Sequence, residues 1–185
     1  MTMTKFRAAP RNGYMRRLQR IAGYSAKMRH GAIRFRTELP NLSSLENVEY
    51  GWEKIIYRKV TEVIPTDALK PLGKLIKMIA YVNVNLMHDI VTGRSVTGII
   101  HLLNQTPVEW FTKRQPIKEM TSYGAKFMAA RTATRQILEM RTTMRYLGVQ
   151  VNGPTFLFGY NKTVVESCNI LKAKLHKRHV ILSFY

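Results

Sequence analysis

The sequence has few cysteines, few acidic residues and no long apolar run. Its 185 residues include one cysteine, Cys168. One cysteine excludes an intramolecular disulfide framework and a cysteine-based zinc site, so we expect an intracellular protein in a reducing compartment. No apolar stretch approaches the about 20 residues that a transmembrane helix requires, and we therefore expect no membrane partner.

The shortage of acids leaves a large positive charge. Lys and Arg number 30 against 11 Asp and Glu, which gives a formal net charge of +19. Such an excess is typical of proteins that bind polyanions, because neutralising phosphates releases condensed counterions. An acidic protein surface or anionic lipid is the competing partner. We expect nucleic acid, and an apolar fraction of 45% is sufficient for a folded core.

Residues 1–74 are predicted to form a basic extension or connecting segment of helical and irregular structure. No acid precedes Glu38, and apolar residues recur at helical spacing over 15–22, with the helix end bracketed by Gly23 and Gly31. An acid-poor, arginine-rich start is also typical of mitochondrial transit peptides. The mitochondrion therefore stays open as a location beside the cytoplasm and the nucleus.

Residues 75–185 have the pattern of an α/β domain with a mixed sheet. Apolar and β-branched runs predict strands at 78–82, 95–103, 106–113 and 155–159. Helical periodicity predicts a long helix over 122–147 and a shorter one over 161–171. The order is β-β-β-α-β-α, three strands in a meander followed by alternation of helix and strand.

Short motifs in this part of the chain are more specific than its composition. In chain order they are HDIVTGRSVTG at 88–98, TPVEW at 106–110, KRQP at 113–116, YG at 123–124, GYN at 159–161 and KRH at 177–179. As an ordered set they closely resemble the RNase H region of Ty1/copia-type retrotransposon polyproteins, over about residues 75–185. Residues 14–36 and 52–73 also resemble the segment that links reverse transcriptase to RNase H in that family. The resemblance implies an RNase H-like fold truncated at the C-terminus, because the family's domain continues with a further helix.

The resemblance also implies a catalytic site that is degenerate here. RNase H chemistry uses clustered carboxylates that bind two Mg²⁺ ions. The positions that match three of the family's carboxylates are occupied by Asn83, Lys126 and Tyr160. At about 4 Å an ammonium repels a cation by several kcal/mol even at an effective dielectric of 20. We therefore predict that the ancestral magnesium site is lost, that no cofactor binds and that the chain is not an enzyme. Asp89 is the remaining acid expected nearest to the former site.

Nucleic-acid binding is predicted to remain. Lys126 and Tyr160 would make the former metal pocket cationic and aromatic, which suits a phosphate or a nucleotide without a metal. The other residues predicted to bind nucleic acid are Arg94, Ser95, Thr97, Lys113, Arg114, Gln115, Asn161, Lys162, Lys177 and Arg178. Trp110 is predicted to pack in the core or on the sheet rather than to stack on bases.

The sequence thus predicts a catalytically inactive, retrotransposon-derived, RNase H-like protein that binds RNA or an RNA/DNA hybrid. One alternative is an active Mg²⁺-dependent ribonuclease H of a reverse transcriptase polyprotein. Another is a basic RNA-binding subunit of a ribonucleoprotein particle, such as a mitochondrial ribosome. A transposon remnant without a selected role also stays open, since ancestry does not establish function.

Overall fold

The computed structural model describes residues 12–43, 66–151 and 153–169. The chain forms two compact units, Met1–Phe35 and Arg36–Tyr185. In the described ranges, no helix combines the length and apolar character that crossing a bilayer requires.

The first unit contains one helix, α1 (Asn12–Lys27), among its described residues. The helix continues through Gly23 and ends before Gly31, whose amide donates a hydrogen bond to the carbonyl of Met28 at 2.8 Å. The prediction that these two glycines bracket the helix end is therefore confirmed. None of the side chains of α1 is buried.

The second unit contains the predicted strands and helices and two further strands. The predicted elements are β2 (Met78–Asp89), β3 (Arg94–Leu103), β4 (Thr106–Arg114), α2 (Ser122–Tyr146), β6 (Phe156–Gly159) and α3 (Lys162–Asn169). Two short strands, β1 (Leu72–Ile76) and β5 (Val149–Val151), were not predicted from the sequence, and they pair in parallel with each other. The prediction of an α/β domain with a mixed sheet is confirmed.

The main sheet has the strand order β4-β3-β2-β6. The first three strands are antiparallel neighbours, and β6 lies parallel to β2 at the other edge. Asn104 adopts a positive φ of 55° in the tight turn between β3 and β4. Its side-chain oxygen accepts from the amide of Lys77 at 2.8 Å, which fixes this turn against the start of β2.

Helix α2 covers one face of the sheet. Ala129 and Ala133 are fully buried against Val82 and Ile99, because small side chains let the helix approach the strands closely. Farther along the helix, Ile137 packs on the first residues of β2. The helix begins at the N-cap Thr121, whose hydroxyl accepts from the amide of Gly124 at 3.2 Å. Since side chains alternate along a strand, the neighbours of Val82 in β2 point to the other face of the sheet.

Candidate functional site

Asn83, Lys126 and Tyr160 line one cavity of about 480 Å³. Asn83 comes from β2, Lys126 from α2, and Tyr160 directly follows β6. The sheet topology brings Asn83 and Tyr160 together, because β6 lies beside β2 with Gly159 in register with Val82. The volume is in the range of ligand-binding clefts, about 300–1,000 Å³.

Lys126 is held in place by Tyr160. Its ammonium donates to the backbone carbonyl of Tyr160 at 3.0 Å and lies 5.3 Å from the centre of the Tyr160 ring. A cation over an aromatic face is stabilised by the ring quadrupole. These two contacts place the ammonium of the half-buried Lys126 at the cavity.

These three side chains do not fit magnesium, the metal that the resemblance implies. Mg²⁺ prefers carboxylate, carbonyl and water oxygens in an octahedral arrangement. The amide oxygen of Asn83 already accepts from the amide of Val84 at 2.8 Å, and Lys126 adds a charge of the wrong sign. No group of three His, Cys, Asp or Glu side chains that could hold a metal ion is found within residues 12–43, 66–151 and 153–169.

Asp89, the acid predicted to lie nearest to the former site, does not line this cavity. It closes the far end of β2, separated from Asn83 by up to about 20 Å of strand at roughly 3.3 Å per residue. Its side chain is 3% exposed and accepts from Arg114 at 2.7 Å and from Thr92 at 2.5 Å. Asp89 is therefore a structural partner of Arg114. The ion pair engages the guanidinium of Arg114, which was predicted to bind nucleic acid.

Three polar residues predicted to bind nucleic acid are buried instead. Ser95 accepts from the backbone amide of Met87 at 3.2 Å. The amide nitrogen of Gln115 donates to Thr97 at 3.0 Å and to the carbonyl of Ala125 at 2.7 Å. The Ser95 bond joins β3 to β2, and the two Gln115 bonds join the end of β4 to β3 and to the first turn of α2. The prediction of direct contact with nucleic acid is wrong for Ser95, Thr97 and Gln115, because all three residues are buried.

The remaining predicted binding residues lie at different accessible positions. Lys113 is exposed on β4 and Arg94 is half-buried at the start of β3. Asn161 lines the cavity and caps α3, since its side-chain oxygen accepts from the amide of Val164 at 3.0 Å. Lys162 is exposed and lies 3.7 Å from Glu166. Lys177 and Arg178 lie outside the described residues.

Two features of the site were not predicted. Cys168 lines the cavity, and partial desolvation there raises the pKa of its thiol. Trp110 is 67% exposed on the sheet face opposite α2, so it is not a core residue. The alternation of Tyr81 and Asn83 with Val82 and Val84 was the available signal that one face of β2 is not core.

Comparisons with protein-family models, with curated proteins and with solved structures found no match. The family resemblance of the motifs therefore stays a hypothesis from the sequence.

Proposed function

We propose that this chain is a nucleic-acid-binding protein that binds phosphate without a metal at the cavity of Asn83, Lys126 and Tyr160, and that it is not an enzyme. The observation that carries the proposal is the ammonium of Lys126, which Tyr160 holds where β2, α2 and the end of β6 meet. An ammonium has three donors, and the carbonyl of Tyr160 takes one of them. The other two N–H groups of Lys126 can donate to phosphate oxygens.

Ancestry in the RNase H region of Ty1/copia-type polyproteins is part of the same proposal. Two observations support it: β6 lies parallel to β2 after three antiparallel strands, and the three positions matched to carboxylates line one cavity. In a nuclease, carboxylates at such a point would hold metal ions. Here the same positions carry an amide, an ammonium and a phenol, so we propose that phosphate binding remains and hydrolysis is lost.

The overall charge favours a polyanionic partner. With a formal net charge of +19, association with RNA or an RNA/DNA hybrid is favoured electrostatically and depends steeply on salt. Neutralising each phosphate contributes about −0.9 to the slope of log K against log salt concentration for a duplex. A fixed cation such as Lys126 should account for about one such contact.

Binding is tested by fluorescence anisotropy with a labelled RNA/DNA hybrid at salt concentrations from about 50 to 500 mM. We expect affinity to fall steeply with salt and to be the same in EDTA and in Mg²⁺. Lys126→Glu should weaken binding about tenfold and reduce the salt slope by about 1. Lys74→Glu, an equal charge change at an exposed lysine of β1, is the matched control and should have a smaller effect.

Three results would contradict the proposal. Equal losses in the two variants would mean that net charge alone determines binding. Absence of binding to any polyanion would refute the function itself. Mg²⁺-dependent cleavage of the RNA strand of the hybrid would favour the active ribonuclease H instead.

A further inference from the structure

Four apolar side chains form a row across the main sheet. Trp110 of β4 is in register with Ile100 of β3, Ile100 with Tyr81 of β2, and Tyr81 with Phe158 of β6. Side chains at directly opposed positions share a face of the sheet. We call these four residues, three aromatic side chains and Ile100, the aromatic row.

The aromatic row lies on the sheet face opposite α2 and is accessible. Trp110 is 67% exposed, Tyr81 48% and Ile100 45%. Tyr81 and Phe158 are stacked, with ring centres 5.0 Å apart and planes 20° apart. All four residues line one open depression of about 620 Å³. Exposed aromatic side chains in a contiguous patch are typical of a binding surface.

The aromatic row is continuous with the cation at the cavity. Tyr160 lines both the depression and the cavity, and it carries the ammonium of Lys126 over its ring. The two acidic residues of the four strands lie elsewhere. Asp89 is buried in its pair with Arg114, and Glu109 shares the α2 face with its register partner His101. The face that bears the aromatic row therefore has no acidic side chain within these strands.

We infer that the aromatic row stacks the bases of a single-stranded RNA or DNA, with the phosphate backbone directed towards Lys126. This inference rests on the proposed nucleic-acid function and specifies the strand state of the ligand. Four-stranded sheets with aromatic side chains on one face stack about two or three bases of a single strand. In a duplex the bases are stacked on each other and are not available to such a surface.

A single strand fits this face better than a second copy of the chain does. Two copies would each bring a formal charge of +19, which opposes self-association. A nucleic-acid strand offers an aromatic surface for the aromatic row and a phosphate for the adjoining ammonium. Sequence preference should be weak, because every base has a π-face.

The first experiment measures the affinity of the full chain for labelled oligo-U, oligo-dT and a blunt duplex of equal length. Trp110→Ala should weaken binding to both single strands about tenfold, which is within the range for one stacked base. Trp110→Phe keeps an aromatic ring and should retain most of the affinity. Leu138→Ala removes a similarly exposed apolar side chain from α2 and serves as the control. Duplex binding should be the same in all four proteins.

The second experiment follows Trp110 directly. The chain has two tryptophans, so Trp52→Phe leaves Trp110 as the only indole. We expect oligo-dT to quench its emission. Quenching of this emission by acrylamide in the free protein should be efficient, as expected for an exposed ring.

The outcomes separate the two proposals. If Trp110→Ala leaves single-strand affinity and emission quenching unchanged while Lys126→Glu weakens binding, the stacking inference is wrong and the proposed function stands. If no polyanion binds, both are wrong. Protection of Trp110 from acrylamide in a monomer would assign the face to another segment of this chain. The same protection in a dimer that Trp110→Ala dissociates would assign it to a second copy. Either result would overturn the inference.

Discussion

Placing carboxylates at the cavity should create a metal site, which the present side chains oppose. The variant carries Asn83→Asp, Lys126→Glu and Tyr160→Asp, and changes the formal charge at these positions from +1 to −3. The three residues line one cavity, which the new carboxylates would share. Oxygen ligands of this type are the ones that Mg²⁺ binds.

Coulomb's law gives the sign of the change, and the Kd of the new site gives the stabilisation that Mg²⁺ provides. Two unit charges about 4 Å apart interact by about 4 kcal/mol at an effective dielectric of 20, so an ammonium disfavours a divalent cation by about 8 kcal/mol. Each carboxylate would attract the divalent cation, so its interaction energy has the opposite sign. Solvent reduces these values, since Asn83 and Tyr160 are exposed. With a Kd of about 1 mM, Mg²⁺ at about 10 mM should stabilise the variant by about 1.4 kcal/mol.

The assay is thermal unfolding of each protein in EDTA and in about 10 mM MgCl₂ at matched ionic strength. The variant should gain roughly 3–6 °C in Tm with Mg²⁺, and the unmodified protein should not change. The loss of the Lys126–Tyr160 contact lowers the Tm of the variant in EDTA and in Mg²⁺ alike. The difference between the two Tm values of one protein therefore reports Mg²⁺ binding. Lys74→Glu controls for added negative charge outside the cavity. An equal Mg²⁺-dependent rise in the unmodified protein would refute the reasoning, and so would a folded variant with no rise.

Other residues lead to further predictions. Asp89→Asn removes the charge from a buried carboxylate whose arginine partner is partly exposed, so it should cost about 1–3 kcal/mol of unfolding free energy in urea melts; no loss would mean that the ion pair is not stabilising. Gly124→Ala should destabilise by about 1–3 kcal/mol, because a Cβ would collide with the carboxylate of Glu119, whereas Gly23→Ala in α1 meets nothing and should be neutral or stabilising. The thiol of Cys168, with its raised pKa, should react with iodoacetamide more slowly at neutral pH than an ordinary thiol of pKa about 8.5, and faster as pH rises through the raised value. A rate equal to that of a free thiol at neutral pH would contradict this assignment.

Much of the fold could be predicted because its signals are local. The periodicity of 122–147 and the β-branched run at 95–103 predicted α2 and β3 to within a residue at each end. The parallel pair of β1 and β5 was missed, since short parallel strands pair across a long sequence separation and carry little pattern of their own. The second half of β2, residues 83–89, was also not predicted. It contains polar residues among its apolar ones, and its pairing with β3 makes it a strand.

The site could be predicted only in part. The motif matches selected Asn83, Lys126 and Tyr160, and the structure brings these residues to one cavity. Ser95, like Thr97 and Gln115, was predicted to lie on the surface because its side chain is polar. Packing β3 and β4 against α2 buries them, and Gln115 then donates to Thr97 and to the carbonyl of Ala125, whereas Ser95 accepts from the amide of Met87.

The sequence by itself determined the positive charge, the order of the predicted elements and the absence of carboxylates at the three matched positions, since each is a property of composition or local pattern. Only the tertiary structure decided which polar residues are buried, that Asp89 pairs with Arg114, and that Trp110 and Tyr81 share an accessible face. The physical reason is that side-chain alternation defines two faces of a strand, whereas the packing of α2 decides which of them becomes core.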